Sequence, residues 1–276
     1  IFLLFLYLTL IVSFILGENS TGGAIQDYFN QKNASRGFAS EFLKTLYEYD
    51  TFETRHSPVL IIFLSLFEKF NLPDALIRLI HLHLCLFLPF IFYKCLTIKF
   101  SEIDRKILLF LSSLIFLSPT FRSLAIWPDS RLLGLIFFTL SVYFYLKFED
   151  SKDFKFAVYN VVTLALCAYV SPNFSVFSIF FLIKFIFNCG FFSKKILFLI
   201  IINLFLALPA FYYIFVLDIN FLLKSAAISI GENEKIIFNN VFNDILISFS
   251  IIFFYLTPFI FLKIIKINNI LNIKNI

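Results

Sequence analysis

Apolar runs long enough to cross a bilayer recur along this chain, and they restrict it to a helical membrane architecture. The clearest is ILFLIIINLFLALPAFYYIFV at 196–216, which contains no charged residue. A helix needs about 20 apolar residues to cross roughly 30 Å of hydrocarbon. Inside lipid the backbone must satisfy its own hydrogen bonds, which helices do within one segment. Nothing alternates in the ten-residue manner of an outer-membrane barrel. Sixty per cent of the residues are hydrophobic, against about 45–50% in soluble domains. The expectation is an all-α, polytopic integral membrane protein, a single domain over 1–276. Its spans are expected at 1–16, 74–96, 107–118 with its flanks, 130–147, 156–170, 172–187, 196–216 and 241–262, about eight transmembrane helices.

With no Met anywhere, Ile1 opens directly into apolar sequence. The chain therefore reads as a fragment or processed product that begins in the remainder of a first span. A secretory leader would carry a basic flank and a shorter apolar core.

Lys and Arg placement sets the expected orientation, because short cytoplasmic loops collect positive charge. With the N-terminus inside, the inner segments hold Lys94, Lys99, Arg105 and Lys106, then Lys147, Lys152 and Lys155, then Lys184, Lys194 and Lys195, then Lys263, Lys266 and Lys274. The short outer loops hold only Arg122, Arg131, Lys224 and Lys235. This bias accounts for the net charge of +5, and no basic stripe points to nucleic acid.

Between the first span and the rest lies a long polar segment, 17–73, read as an external loop carrying the chemistry, with 74–276 as its helical scaffold. PVLIIFLSLF at 58–67 is too short to cross. It reads as a helix at the outer surface, with Ser57 as N-cap and Pro58 at its first position. Phe38, Phe42, Leu46 and Tyr49 recur at helical spacing, which predicts a second amphipathic interfacial helix. A loop this long is usually functional or disordered.

Candidate chemistry falls on the expected outer face. Asp27 follows the glycines of TGGAIQDY and could act as a general base, or be a solvated acid or helix cap. Arg55 and His56 precede the Pro58 helix, whose N-terminus favours a phosphate; the bland alternative is snorkelling cations. SPTFRSLAIWPDSR brings Arg122, Asp129 and Arg131 to the same face, a set suited to phosphate and sugar. Trp127 reads as an interface anchor, and Asp129 also reads as a cap for the following span. Arg78 lies in the outer part of a span, with Asp74 one turn earlier as an i,i+4 partner. His81 and His83 are about 200° apart on a helix and cannot share a metal. Cys85, Cys95, Cys167 and Cys189 fall in or beside spans, suggest no disulfide or metal framework, and read as buried small residues.

In order, GGAIQDY, RHSPVLIIFLSLFEKF, LPDALIRL and SPTFRSLAIWPDSRLLGL resemble the motif series of the GT-C membrane glycosyltransferases. That superfamily includes protein O-mannosyltransferases and the bacterial transferases that add sugars to lipid A. RHSPVL is similar to the family's HPPL or KPPL segment, with Ser57-Pro58 where a double proline is usual. A single Asp stands where the mannosyltransferases have an Asp-Glu pair. The resemblance covers roughly 1–150. It implies a GT-C fold and inverting transfer from a polyprenyl-phosphate-linked sugar to an acceptor on a glycan, lipid or protein. Asp27 matches the catalytic base, and His56 with Arg55 the residues near the donor phosphate. The expected setting is a bacterial inner membrane with the site facing outside. A divalent metal is left open. The competing readings are a transporter or flippase of a lipid-linked saccharide and a non-catalytic membrane subunit.

Overall fold

The structure, a computed structural model, describes residues 2–20, 22–52, 54, 56–219, 246, 249 and 250. The chain divides into two compact units, Ile1–Leu222 and Leu223–Ile276. The first holds twelve α-helices among the described residues: α1 (Phe2–Leu16), α2 (Ala24–Ser40), α3 (Phe42–Tyr47), α4 (Pro58–Lys69), α5 (Asp74–Cys85), α6 (Phe87–Lys99), α7 (Arg105–Ser113), α8 (Pro119–Ile126), α9 (Ser130–Ser151), α10 (Phe154–Val170), α11 (Phe177–Cys189) and α12 (Lys194–Phe211).

The starts of these helices follow from the sequence. Ser57, Asp104, Ser118, Asp129, Asp153 and Ser193 cap α4, α7, α8, α9, α10 and α12 by accepting a bond from a first-turn N–H. Each such cap contributes about 1 kcal/mol. Pro58 and Pro119 occupy first helical positions, where the missing N–H would be unpaired anyway. Lys152 closes α9 in the left-handed region at φ 57°.

Four segments are long and apolar enough to cross a membrane: Asp74–Lys99, Ser130–Ser151, Pro172–Cys189 and Lys194–Val216. Arg105–Leu117 and Pro119–Ile126 make a fifth if counted as one span, although they bend by 66° at Ser118. This is fewer than the eight spans expected. The helices at 1–16 and 156–170 form, but as Phe2–Leu16 and Phe154–Val170 they are shorter apolar helices. The span expected at 241–262 lies outside the described residues. α12 has the character of a lipid-facing helix: it buries Ile196 and Leu199 and exposes Leu197, Leu204, Phe205 and Leu208.

The segment 17–73 is helical but is divided differently from the expectation. α2 begins at Ala24, and its run stops at Glu41, whose backbone leaves the helical region at φ -137° and ψ 74°. Thus Phe38 and Tyr49 turn inward while Phe42, Leu43 and Tyr47 face outward, and the single stripe expected over 38–49 is split. The fold-back packs tightly on Gly37: a Cβ there would stand 2.9 Å from Thr45 Oγ1 and 3.0 Å from Phe52. α2 lies along α4, with Ala34 and Phe38 packed against Tyr49 and Ile61.

Two further cores order the bundle. One joins Leu10 of α1, Tyr28 of α2, Leu82 of α5, Phe121 and Ile126 of α8, and Leu132 of α9. The other joins α9, α10, α11 and α12 through Tyr145, Phe148, Leu164, Phe181, Phe185 and Leu199. α5 and α6 run on as one span, so Lys94 and Lys99 lie toward the end remote from Asp74; Lys152 closes α9 at the end remote from Arg131, and Lys194 and Lys195 line one cavity with it. α9 alone separates the two ends by about 33 Å at 1.5 Å per residue.

Candidate functional site

Gly22, at φ 75°, turns the chain after α1 so that α2 starts at Ala24. Asp27 therefore falls in the first turn of α2, where the positive helix end favours a carboxylate. Its Oδ2 accepts a bond from Arg131 Nη2 at 2.9 Å. Arg131 stands in the first turn of α9, held there by Asp129. The Asp129 carboxylate accepts from Arg131 N at 2.7 Å, from Nε at 3.0 Å and from Nη2 at 2.6 Å. Asp129 is 1% exposed, Arg131 52% and Asp27 35%. One guanidinium thus bridges a buried acid that fixes it and an accessible acid on another helix.

Arg122 and Arg78 fasten the same segment to α1 and α5. Arg122 Nε donates to Glu18 at 2.9 Å, and its Nη2 donates to Ser13. Burial alone would raise the Glu18 carboxyl, but hydrogen bonds from Ser20 and Ser13 and the Arg122 guanidinium hold it below the usual carboxylate range. Trp127 Nε1 donates to the Glu18 carbonyl at 3.0 Å. Arg78 lies 3.4 Å from the centroid of the Trp127 ring and donates from Nε to Ile126 O at 3.1 Å. Trp127 is buried, packed against Tyr28 and Phe29, so it is not the interface anchor expected. The Asp74–Arg78 pair is also corrected. Asp74 is bonded to Lys32, a buried lysine that also lies 4.0 Å from Glu68, while Arg78 turns to the indole.

His56 joins this cluster from the other side. Its Nδ1 is in hydrogen-bond contact with Ser130 Oγ at 3.0 Å, and its carbonyl accepts from the Tyr49 hydroxyl at 2.8 Å. Arg55 lies outside the described residues. The next residue, Ser57, caps α4 and donates to Tyr169 O. Ser57, Pro58 and Val59 line an apolar cavity of about 620 Å³, closed by Leu164, Phe181 and Tyr213 among others. His56–Ser57 therefore separates a charged cluster from an apolar chamber.

Asp27, His56, Arg78, Arg122, Asp129 and Arg131 are all brought to the neighbourhood of the α8–α9 junction, although only Asp27, Asp129 and Arg131 touch one another directly. Sequence reasoning missed Glu18, Ser130 and Lys32, whose contacts span |i−j| of 104, 74 and 42 residues. Burial pushes the phenols of Tyr28 and Tyr49 above their ordinary range, so neither is suited to act as a base. His81 is buried against Ala125 O while His83 contacts Tyr7, so the two histidines serve different faces. Asp27 and Asp129, the nearest carboxylates for a divalent cation, are both engaged by Arg131. Among the described residues no three His, Cys, Asp or Glu side chains gather as a metal site. The chain matches no family model, and no curated protein or solved structure is significantly similar to it.

Proposed function

We propose that this chain is a membrane glycosyltransferase that moves a sugar from a polyprenyl-phosphate-linked donor to an acceptor hydroxyl, with inversion. The observation that carries this reading is the juxtaposition at His56–Ser57: the partly open Asp27 carboxylate with Arg131 on one side, an apolar chamber on the other. A donor with an anionic phosphate and a long hydrocarbon tail has the matching division. Asp27 acts as general base and takes the proton of the acceptor hydroxyl. The acceptor oxygen attacks the anomeric carbon, and the C–O bond electrons leave with the lipid phosphate. Arg131 and His56 stabilise the charge that develops there. Arg131 is at rest on Asp27, so a phosphate that draws the guanidinium away also frees the base. The reaction faces the outside of the membrane, and the lysine-rich end faces the cytoplasm.

The test is transfer from radiolabelled polyprenyl-phosphate sugars by the full protein in membranes, comparing wild type with Asp27→Asn. Loss of transfer with insertion and donor binding intact supports Asp27 as base. Unchanged transfer removes Asp27 from that role. No transfer from any donor by the wild type favours a transporter or flippase of a lipid-linked saccharide, or a non-catalytic subunit.

A further inference from the structure

The end of the bundle remote from Asp27 has its own cavity. It measures about 500 Å³ and is lined by Phe148, Lys152, Asn188, Ser193, Lys194 and Lys195, together with Cys189. Four elements converge there: the end of α9, the turn into α10, the end of α11 and the start of α12. We propose that this cavity is a headgroup site for an anionic phospholipid.

Charge is the first argument. Lys152 Nζ is bonded to a neutral partner, Asn188 Oδ1, at 3.0 Å. Lys195 lies over the Phe154 ring at 5.7 Å. Among the described residues, none of Lys152, Lys194 and Lys195 makes an ion pair with a carboxylate. The nearby acid Asp153 is taken by Lys155 at 2.7 Å, and Glu149 accepts from the Tyr145 hydroxyl. Asp150, in the last turn of α9, is exposed and is not among the lining residues, so three cations line the cavity with no carboxylate in its walls. The N-terminus of α12 opens at the same place; Ser193 takes the Ile196 N–H, and the positive helix end adds to the attraction for an anion.

The second argument identifies the anion's source. The α11–α12 turn, made by Gly190 at φ 85°, presents Phe191 and Phe192 at 65% and 96% exposure. Two exposed phenylalanines beside lysines suit a bilayer surface rather than open water. Phe187 of α11 and Leu197 of α12, each one turn or less along its helix from a cavity-lining residue, are exposed as well, apolar surface of the kind acyl chains cover. Basic pockets between membrane helices bind acidic lipid headgroups in this manner.

The test is native mass spectrometry of the full protein, delipidated in detergent and titrated with phosphatidylglycerol or phosphatidylcholine. Wild type is compared with K152Q/K194Q/K195Q and with K94Q/K99Q/K106Q, which removes equal charge outside the cavity. Wild type should prefer phosphatidylglycerol, and the cavity variant should lose about five-fold in affinity per lysine removed. The control variant should retain the preference. Equal losses in both variants, or no preference in wild type, would overturn the site. Should the cavity variant fail to fold, the single variants K152Q, K194Q and K195Q should each lose about five-fold while K152R/K194R/K195R keeps the preference; single variants that match wild type would overturn the site. Inorganic phosphate at matched ionic strength should not displace the lipid; full displacement would assign the cavity to a soluble anion and overturn the lipid reading.

Discussion

Arg131 Nη2 meets Asp27 Oδ2 at 2.9 Å across |i−j| of 104 residues, and the same guanidinium is gripped by Asp129 only two residues away. The two carboxylates are not equivalent. Asp129 is buried and also caps α9, so its partnership is structural. Asp27 is on a different helix and partly open to solvent, so its contact is the one a ligand can replace.

That asymmetry predicts a separation of stability from activity. Asp129→Ala removes the α9 cap and leaves Arg131 without its anchor, costing about 1–2 kcal/mol in thermal unfolding. Asp129→Asn keeps a capping oxygen and should recover about half of that loss. Arg131 is half exposed, so Arg131→Gln should change stability by no more than about 1 kcal/mol. On the proposed transferase reading, transfer should nevertheless fall sharply in Arg131→Gln. A variant with normal transfer would remove Arg131 from the site.

Asp129 shows what the sequence makes legible and where that ends. A capping acid before Ser130 is a local signal, and so is Ser57-Pro58; both open helices as their chemistry dictates, whereas Ser118-Pro119 opens α8 in a stretch expected only as a loop between spans. The Asp27–Arg131 contact depends on how α2 and α9 pack, which no local pattern encodes. The same limit applies at Glu41: helical periodicity continues through it, but α2 ends there and the chain folds back so that Thr45 and Phe52 pack on Gly37. Trp127 was misplaced because an aromatic beside a polar turn has the same local signature whether it anchors an interface or packs under an arginine.

At Gly134, α9 comes close to the end of α10. A Cβ there would stand 2.7 Å from the Ser171 Cβ and 3.2 Å from the Phe174 ring. Neither the Ser171 Cβ nor its backbone can move far, so Gly134→Ala should destabilise by about 1–3 kcal/mol. Adding Ser171→Gly removes the nearer clash and should restore much of the thermal midpoint. A double variant no better than the single one would refute this account of the contact.

Glu18 predicts a pH dependence. Burial opposes its ionisation, yet the Ser20 and Ser13 hydroxyls and Arg122 hold the folded-state value below the ordinary 4.5. A carboxyl lowered by folding contributes stability above its unfolded value and loses it as pH falls through the folded one. The thermal midpoint should therefore hold from neutral pH down to about 4.5 and decline below it. Glu18→Gln should start lower at neutral pH and decline less steeply over the acid interval. Parallel curves for the two proteins would show that Glu18 does not contribute to the acid limb.

Trp127, the sole tryptophan, makes the Arg78 contact directly observable. The guanidinium covers the indole face at 3.4 Å from the ring centroid, while the ring edge donates to Glu18 O. A desolvated cation–π contact contributes up to about 2 kcal/mol. Lysine keeps the charge but lacks the planar group that stacks and the Nε that reaches Ile126 O. Arg78→Lys should therefore lower stability by about 1–2 kcal/mol and shift the fluorescence to longer wavelength as the indole face becomes hydrated. Trp127→Phe keeps a ring under Arg78 and loses the bond to Glu18, so it separates stacking from hydrogen bonding. If Arg78→Lys leaves the emission unchanged, Arg78 does not cover the indole, and its tie between α5 and the α8–α9 junction fails with it.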